Sequence, residues 1–268
     1  MNSGTHPSLA LQRVHHGRPA VDALMEEVGR AGASRVFVTT TRSLAGAHLV
    51  ADCIAALGDR FAGRFDAIAA HSPREAVIAG AALIRDAGAD LVLAIGGGSV
   101  IDATKVMLQC VWFGITEPAG LDAIVGGRHR GGGDPSAWDA DPQRLRMIAI
   151  PTTLSAAEFN HLAGVTDVAK KVKQGYMHPM AVPKAVILDP AATRDTPLEL
   201  LLSTGMRAVD HCVERLCALR TAPMSDALSL HALSMLASAL PRIKADPDDL
   251  NARADSQVGM WLSLLPQT

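Results

Sequence analysis

Residues 91–105, Leu-Val-Leu-Ala-Ile-Gly-Gly-Gly-Ser-Val-Ile-Asp-Ala-Thr-Lys, hold the sharpest chemical signal in the sequence. The apolar run 91–95 has the length and flanks of a buried strand, three glycines break it, and a helical pattern begins at once. Glycines remove every Cβ from the path of a ligand. A helix starting there presents unpaired N–H groups and the positive end of its dipole, which suits a phosphate. Ser99 is the expected N-cap, and Asp102 lies three residues later in the first turn, where a carboxylate is favoured. An ordinary βα turn can also be rich in glycine. Here the strand before and the helix after supply the context of a pyrophosphate site, with Gly97, Gly98, Ser99 and Asp102 as its residues.

Other candidates are weaker when read alone. Thr152 and Thr153 follow an apolar run, 147–150, that Pro151 ends. Hydroxyls there either cap a turn or bond a ribose or an amide. The basic run Lys170-Lys171-Val172-Lys173 reads as a solvated face. Arg207 and His211, four apart in a helical pattern, share a face, although a lone helical histidine is usually packed or on the surface.

These residues must be placed by a large folded core. The chain has 268 residues, 49% of them hydrophobic and only 3% aromatic, a mix suited to helices packed on a sheet. A formal net charge of −2 gives no electrostatic case for nucleic acid. No apolar stretch reaches the ~18–20 residues of a membrane span, and the first residues lack a signal peptide's basic and apolar regions. Cys53, Cys110, Cys212 and Cys217 show no paired metal spacing, so reduced thiols in a cytoplasmic protein are expected. Helical patterns at 20–31, 44–57 and 75–87 alternate with strand patterns at 35–39, at 91–95 and, weakly, at 65–69. Such alternation predicts a parallel sheet with helices on both faces and ligands at the carboxyl ends of its strands. The Gly-, Asp- and Arg-rich stretch 126–143 reads as a solvated insertion that could border the site. Strand signals stop beyond Asp189, and 198–216, 224–240 and 248–265 read as helices punctuated by prolines. The predicted organisation is an α/β domain over 1–188 and an all-helical domain over 189–268.

The segment from Gly96 to Lys105 resembles the cofactor loop of the iron-dependent, or group III, alcohol dehydrogenases. Ile150-Pro151-Thr152-Thr153, with Ser155 and Glu158, resembles that family's Pro-Thr-Thr segment near the nicotinamide. Residues 182–190 resemble the strand that closes its first domain, and 205–214 its first metal-binding helix. These blocks keep the family's order and run from Gly17 to about Leu264. The resemblance implies a Rossmann-like, dehydroquinate synthase-like α/β domain followed by a helical one. It further implies NAD- or NADP-dependent hydride transfer to or from a small carbonyl or alcohol.

On that footing Thr152 and Thr153 become cofactor contacts, and counting back from Pro183 favours Lys173, ahead of its neighbours Lys170 and Lys171, as the family's cofactor-contacting lysine. Thr40 stands where NAD-preferring relatives carry an acid that bonds the 2′-hydroxyl of NAD and repels the 2′-phosphate of NADP. With threonine there and Arg42 beside it, NADP is expected to be accepted as well as NAD. His71, also an expected cofactor contact, lies in His71-Ser72-Pro73, which is similar to the His-Thr-Pro of maleylacetate reductases and points to that branch.

Two departures bear on mechanism. The alcohol dehydrogenases carry aspartate at the position of Arg207 and bind a divalent metal through it and His211, but a guanidinium has no lone pair to donate. Asp210 points away from that face, and Glu214 could approach it. The family continues with helices bearing two further histidine ligands, whereas this sequence stops at Thr268, so the helical domain is read as incomplete. His211 is then the only retained ligand position, and no metal is expected. Arg207 and His211 are the expected catalytic pair, with Arg207 binding an anionic group of a keto acid where a metal would polarise the oxygen. A weakly active or inactive cofactor-binding member, or a fragment, is the alternative. A sugar-phosphate or dehydroquinate-type enzyme would need a dense metal cluster that the sequence does not show. The expected partners are a small-molecule substrate and a second copy in a homodimer.

Overall fold

The computed structural model describes residues 10–69, 72–127, 144–219 and 222–265. Its strands are β1 (Arg13–His16), β2 (Val36–Thr39), β3 (Phe61–Phe65), β4 (Leu91–Gly96), β5 (Arg146–Pro151), β6 (Leu162–Asp167), β7 (Val172–Met177) and β8 (Ala185–Leu188). Six of them form one parallel sheet in the order β1-β8-β5-β4-β2-β3, and β6 and β7 pair separately as an antiparallel hairpin. The helices are α1 (Ala20–Ala31), α2 (His48–Leu57), α3 (Arg74–Asp86), α4 (Gly98–Phe113), α5 (Leu198–Leu216), α6 (Pro223–Ala245) and α7 (Leu250–Leu264). No described helix is long and apolar enough to cross a membrane.

The sheet is apolar on both faces because both are covered. Leu91, Leu93 and Ile95 of β4 pack with Leu24 and Val28 of α1 and with Val50 and Cys53 of α2. The alternate residues, Val92 and Ala94, pack with Val77 and Ile84 of α3 and with Val106 and Met107 of α4. A third core joins Ala149 of β5 and Val186 and Leu188 of β8 to Leu201, Ala208 and Cys212 of α5, Leu236 of α6 and Met260 of α7. Cys53, Cys110 and Cys212 are buried and unpaired, and Cys217 is exposed. Burial pushes the Cys53 and Cys110 thiols up to about 12.

The alternation expected between 20 and 96 is present, with two differences inside that range and one outside it. The helix predicted from 44 starts at His48, because 41–47 close two tight turns of their own, Leu44 N–H to Thr41 O and Ala47 N–H to Leu44 O. The weak strand expected at 65–69 is Phe61–Phe65, where the backbone pairs with β2. The edge strand β1 and the hairpin β6–β7 carry no apolar run and escape a periodicity reading. Of the stretch 126–143, residues 128–143 lie outside the described residues.

The end of β8 is bonded to both halves of the chain. α1 begins after Pro19 with no cap from its own side chains. Asp189 supplies it: Oδ2 accepts from the Ala20 amide at 2.8 Å and Oδ1 from the Ala191 amide at 2.8 Å. Its carbonyl accepts from Gln257 Nε2 of α7 at 3.0 Å. Asp189→Ala strands two amides and is expected to destabilise the chain by about 2–3 kcal/mol. The measurement is the urea midpoint at unchanged m-value; no shift would show the cap to be idle.

Candidate functional site

The carboxyl ends of the parallel strands open into a cleft of about 1330 Å³. The turns after β2, β3, β4, β5 and β8 line it, the hairpin β6–β7 adds 162–164 and 173–175, and α5 adds Leu200, Thr204 and His211. Gly97, Gly98, Ser99, Asp102, Thr152, Thr153, Lys173 and Arg42 all face this one space.

The glycine turn meets the turn after β5 edge to edge. A Cβ on Gly97 would stand 2.9 Å from Thr153 Cγ2, and one on Gly98 would stand 2.9 Å from Ser155 Oγ. Side chains are therefore excluded at both positions, and the first turn of α4 lies bare against two hydroxyl residues. Thr153 Oγ1 and Ser155 Oγ are buried and have no hydrogen-bond partner among the described residues. Buried hydroxyls without partners are costly, and an incoming polar ligand would relieve them. The first amides of α4 have no intrahelical acceptors. The N-cap of α4 is Gly97, in extended conformation, rather than the expected Ser99, which lies inside the helix. The Ser99 carbonyl accepts from Ser72 Oγ at 2.7 Å, and Ser72 holds a left-handed φ of 50°. The turn after β5 is fixed from the helical half, where Thr196 Oγ1 donates to Thr152 O at 2.7 Å and Thr204 Oγ1 accepts from Leu154 N at 3.1 Å.

Asp102 faces the cleft but does not sit free at the helix terminus. Its Oδ2 accepts from the Gly164 amide at 3.0 Å. One turn on, Lys105 is fully buried and donates to the carbonyls of Ala157 at 2.6 Å, Asn160 at 2.7 Å and Leu162 at 2.9 Å. Loss of solvent brings its ammonium down to about 8, even with Asp102 and Glu158 nearby. Burial likewise pushes the Glu158 carboxyl up to about 7, and neither of its oxygens has a partner among the described residues. Lys105 was not anticipated as a site residue. A lone basic residue in the largely apolar stretch 100–110, one turn after Asp102, is the signal that marks it.

The three lysines of the basic run separate. Lys170 pairs with Asp122 at 3.5 Å and Asp167 at 3.2 Å, Lys171 occupies the hairpin turn with φ 54°, and Lys173 lines the cleft. Thr40 differs from its expected place. It is fully buried, its amide donates to Phe65 O at 3.0 Å, and it does not reach the cleft. Its neighbours Thr41, Arg42 and Ser43 do, with the Thr41 and Ser43 hydroxyls 2.9 Å apart. His71 lies outside the described residues.

On α5, His211 lines the cleft with its Nδ1 buried and unpartnered. Burial first, then Arg207 and Arg215 a turn away on either side, hold its imidazole down to about 4. Arg207 is exposed and ion-paired to Asp210, so its guanidinium does not line the cleft beside His211. No set of three His, Cys, Asp or Glu ligand atoms converges in the cleft among the described residues. The one such set, His15, Glu26 and Glu27, is taken up by Arg13, Arg18 and Arg30 at 2.6–2.9 Å on β1 and α1.

The sequence profile described as Iron-containing alcohol dehydrogenase matches residues 12–190, and that of the Fe-containing alcohol dehydrogenase family, C-terminal, matches 201–265. The chain belongs to the iron-containing alcohol dehydrogenase family. Within that family it is similar to maleylacetate reductase 1 of Cupriavidus pinatubonensis, 30% identical over 250 residues that cover 93% of this chain and 60% of the relative. The maleylacetate reductase of Sphingobium indicum is 30% identical over 251 residues, 94% of this chain and 61% of that one. The chain thus spans about three fifths of the length of these relatives. The crystal structure of maleylacetate reductase from Agrobacterium tumefaciens matches with a TM-score of 0.80 at 25% identity, over 99% of this chain and 66% of that one. Sulfoacetaldehyde reductase from Bifidobacterium kashiwanohense, solved in complex with NAD+, shares the fold with a TM-score of 0.84 at 21% identity, over 100% of this chain and 68% of that one.

Glu158 makes stability depend on pH. Its carboxyl titrates near 7 when folded and ordinarily near 4.5, so between these values the folded chain holds a proton that the unfolded chain has lost. Stability therefore falls as pH rises from about 5 to 7 and stays lower above. Glu158→Gln removes this effect, and its stability relative to the parent is expected to improve between pH 5 and 8 by on the order of 2–3 kcal/mol. Melting curves of both proteins at the two pH values are the test; a gap that does not change with pH would contradict it.

Proposed function

We propose that the chain is an NAD(P)-dependent oxidoreductase that moves a hydride between a nicotinamide and a small carbonyl or alcohol, with keto acids as the favoured substrate class. The observation that carries this reading is the seam where Gly97 and Gly98 lie bare against the unpartnered hydroxyls of Thr153 and Ser155. The cleft around it, at about 1330 Å³, exceeds the roughly 300–1,000 Å³ of sites for a single drug-sized ligand, as a dinucleotide plus substrate requires. When bound, the dinucleotide supplies or accepts the hydride.

The protein's part is binding, orientation and the handling of charge. The first amides of α4 would take the pyrophosphate, with Thr153 and Ser155 as donors beside them. Arg42, with Thr41 and Ser43, would meet the adenosine ribose, and no carboxylate in that turn repels a 2′-phosphate. His211, held down to about 4, meets a substrate oxygen as neutral imidazole at physiological pH. Arg207, exposed on α5 and paired with Asp210 outside the cleft lining, would serve a substrate carboxylate only by leaving Asp210 and turning towards the cleft. The resemblance to maleylacetate reductases supports the keto-acid preference.

A divalent metal does not fit the donors present. Among the described residues His211 is the one imidazole lining the cleft, no set of three ligand atoms converges there, and the charges of Arg207 and Arg215 on the same helix act on it. At ~4 Å a divalent ion and a guanidinium repel by about 2 kcal/mol even in bulk water. The 268-residue chain, purified without chelators, is therefore expected to hold no stoichiometric iron or zinc by elemental analysis. Near one metal per chain would refute this.

Cofactor binding is tested by fluorescence titration. NADH and NADPH are expected to bind within about tenfold of each other, or ~1.4 kcal/mol. Gly97→Leu, which drives a side chain into Thr153, is expected to abolish binding of both while circular dichroism shows the fold kept at a lower melting temperature. Unchanged binding in that variant would overturn the assignment.

A further inference from the structure

Lys173 is held in the cleft by features outside the glycine seam. In the β6–β7 register Thr166 pairs with Lys173 and Gly164 with Gly175, so Gly164 and Lys173 are diagonal neighbours on one face of the hairpin. The lysine stem lies across the bare Gly164 Cα. A Cβ there would overlap Lys173 Cε and stand 2.9 Å from its Nζ and 3.2 Å from its Cδ. Gly164 has no left-handed φ, so its backbone conformation does not demand glycine. What demands glycine is the space the lysine fills. The Gly164 amide is also the donor to Asp102 Oδ2, and the Asp102 carboxylate lies within electrostatic reach of Lys105 and Lys173. Lys105 is committed to three backbone carbonyls, and Lys170 to Asp122 and Asp167. The Lys173 side chain faces the cleft, and its ammonium has no hydrogen bond or ion pair among the described residues.

We propose that Gly164 and Asp102 are positioning residues that set Lys173 across the hairpin, so that its ammonium stands in the cleft as a cation for an anionic ligand group. That this group belongs to the nicotinamide dinucleotide rests on the function proposed above; the placement of Lys173 does not. The bare Cα gives the stem its path, and the carboxylate draws the ammonium inward. A side chain at 164 pushes only the far end of a flexible lysine, so Gly164→Ala folds but turns Lys173 out towards solvent.

The test compares Gly164→Ala, Lys173→Ala, the double variant and Asp102→Asn. Asp102→Asn keeps an acceptor for the Gly164 amide and removes the charge. In ligand-free protein, limited acetylation read by mass spectrometry is expected to show Lys173 labelling rising relative to Lys171 in Gly164→Ala and in Asp102→Asn. In NADPH titrations, Gly164→Ala and Lys173→Ala are each expected to weaken binding by about tenfold, and the double variant no further than Lys173→Ala alone. Unchanged Lys173 labelling in both Gly164→Ala and Asp102→Asn, or losses that add in the double variant, would overturn the proposal. If Gly164→Ala does not fold, labelling of Asp102→Asn decides. If the parent binds no NADPH, the proposed function fails, and labelling alone judges the positioning.

Discussion

The site depends on solvating one buried charge. The Lys105 ammonium lies inside α4, fully removed from water, where an unsatisfied charge would cost several kcal/mol. It has three protons to place, and it places them on the carbonyls of Ala157, Asn160 and Leu162, with Asn160 Oδ1 at 3.2 Å as a further acceptor. All three carbonyls belong to the segment that leads into β6. That segment is therefore drawn onto α4 at a fixed height, and the hairpin that follows must project beside the first turn of the same helix. The hairpin has no strand partner in the main sheet and only isolated backbone bridges, Pro73 to Thr166 and Val125 to Tyr176, so solvation of a charge is a main hold on that wall of the cleft.

A second grip acts from the opposite side. Arg74, buried at the start of α3, donates to Pro118 O at 3.2 Å, bonds Asp122 and Gln174, and lies 3.4 Å from Asp167. Gln174 also accepts from the Tyr176 hydroxyl at 3.2 Å. The two grips differ in kind. On the α4 side a buried cation works mainly through neutral carbonyl dipoles, whereas the α3 side includes exposed carboxylate and ammonium groups that salt can screen.

The glycine turn and the sheet around it were legible because their determinants are local. A buried strand, a tight turn and a helix start all lie within the fifteen residues 91–105, and the both-faces-covered sheet follows from the continuous apolar runs. The hairpin was not legible, since neither Leu162–Asp167 nor Val172–Met177 carries an apolar run and its segment is bonded by a lysine 57 positions away from Leu162. Thr40 was misplaced by one residue. The motif marks the strand end, but only the register against β3 shows that Thr40 turns inward and Thr41 outward. The placing of Arg207 at a family ligand position came from the resemblance and not from spacing or periodicity. Its pairing with Asp210 depends on the helix surface it shares.

The bonds at Asp189 bear on where this polypeptide can be divided. By composition the chain changes character there, from alternating elements to helices alone, as if at a linker. The residue instead joins the start of α1, the turn after β8 and the side of α7, which brings together segments 169 and 68 positions away. A cut just after Asp189 would strand the Ala191 amide and the Gln257 side chain, and a cut just before it the Ala20 amide, so the boundary visible in the sequence is a junction and not a hinge.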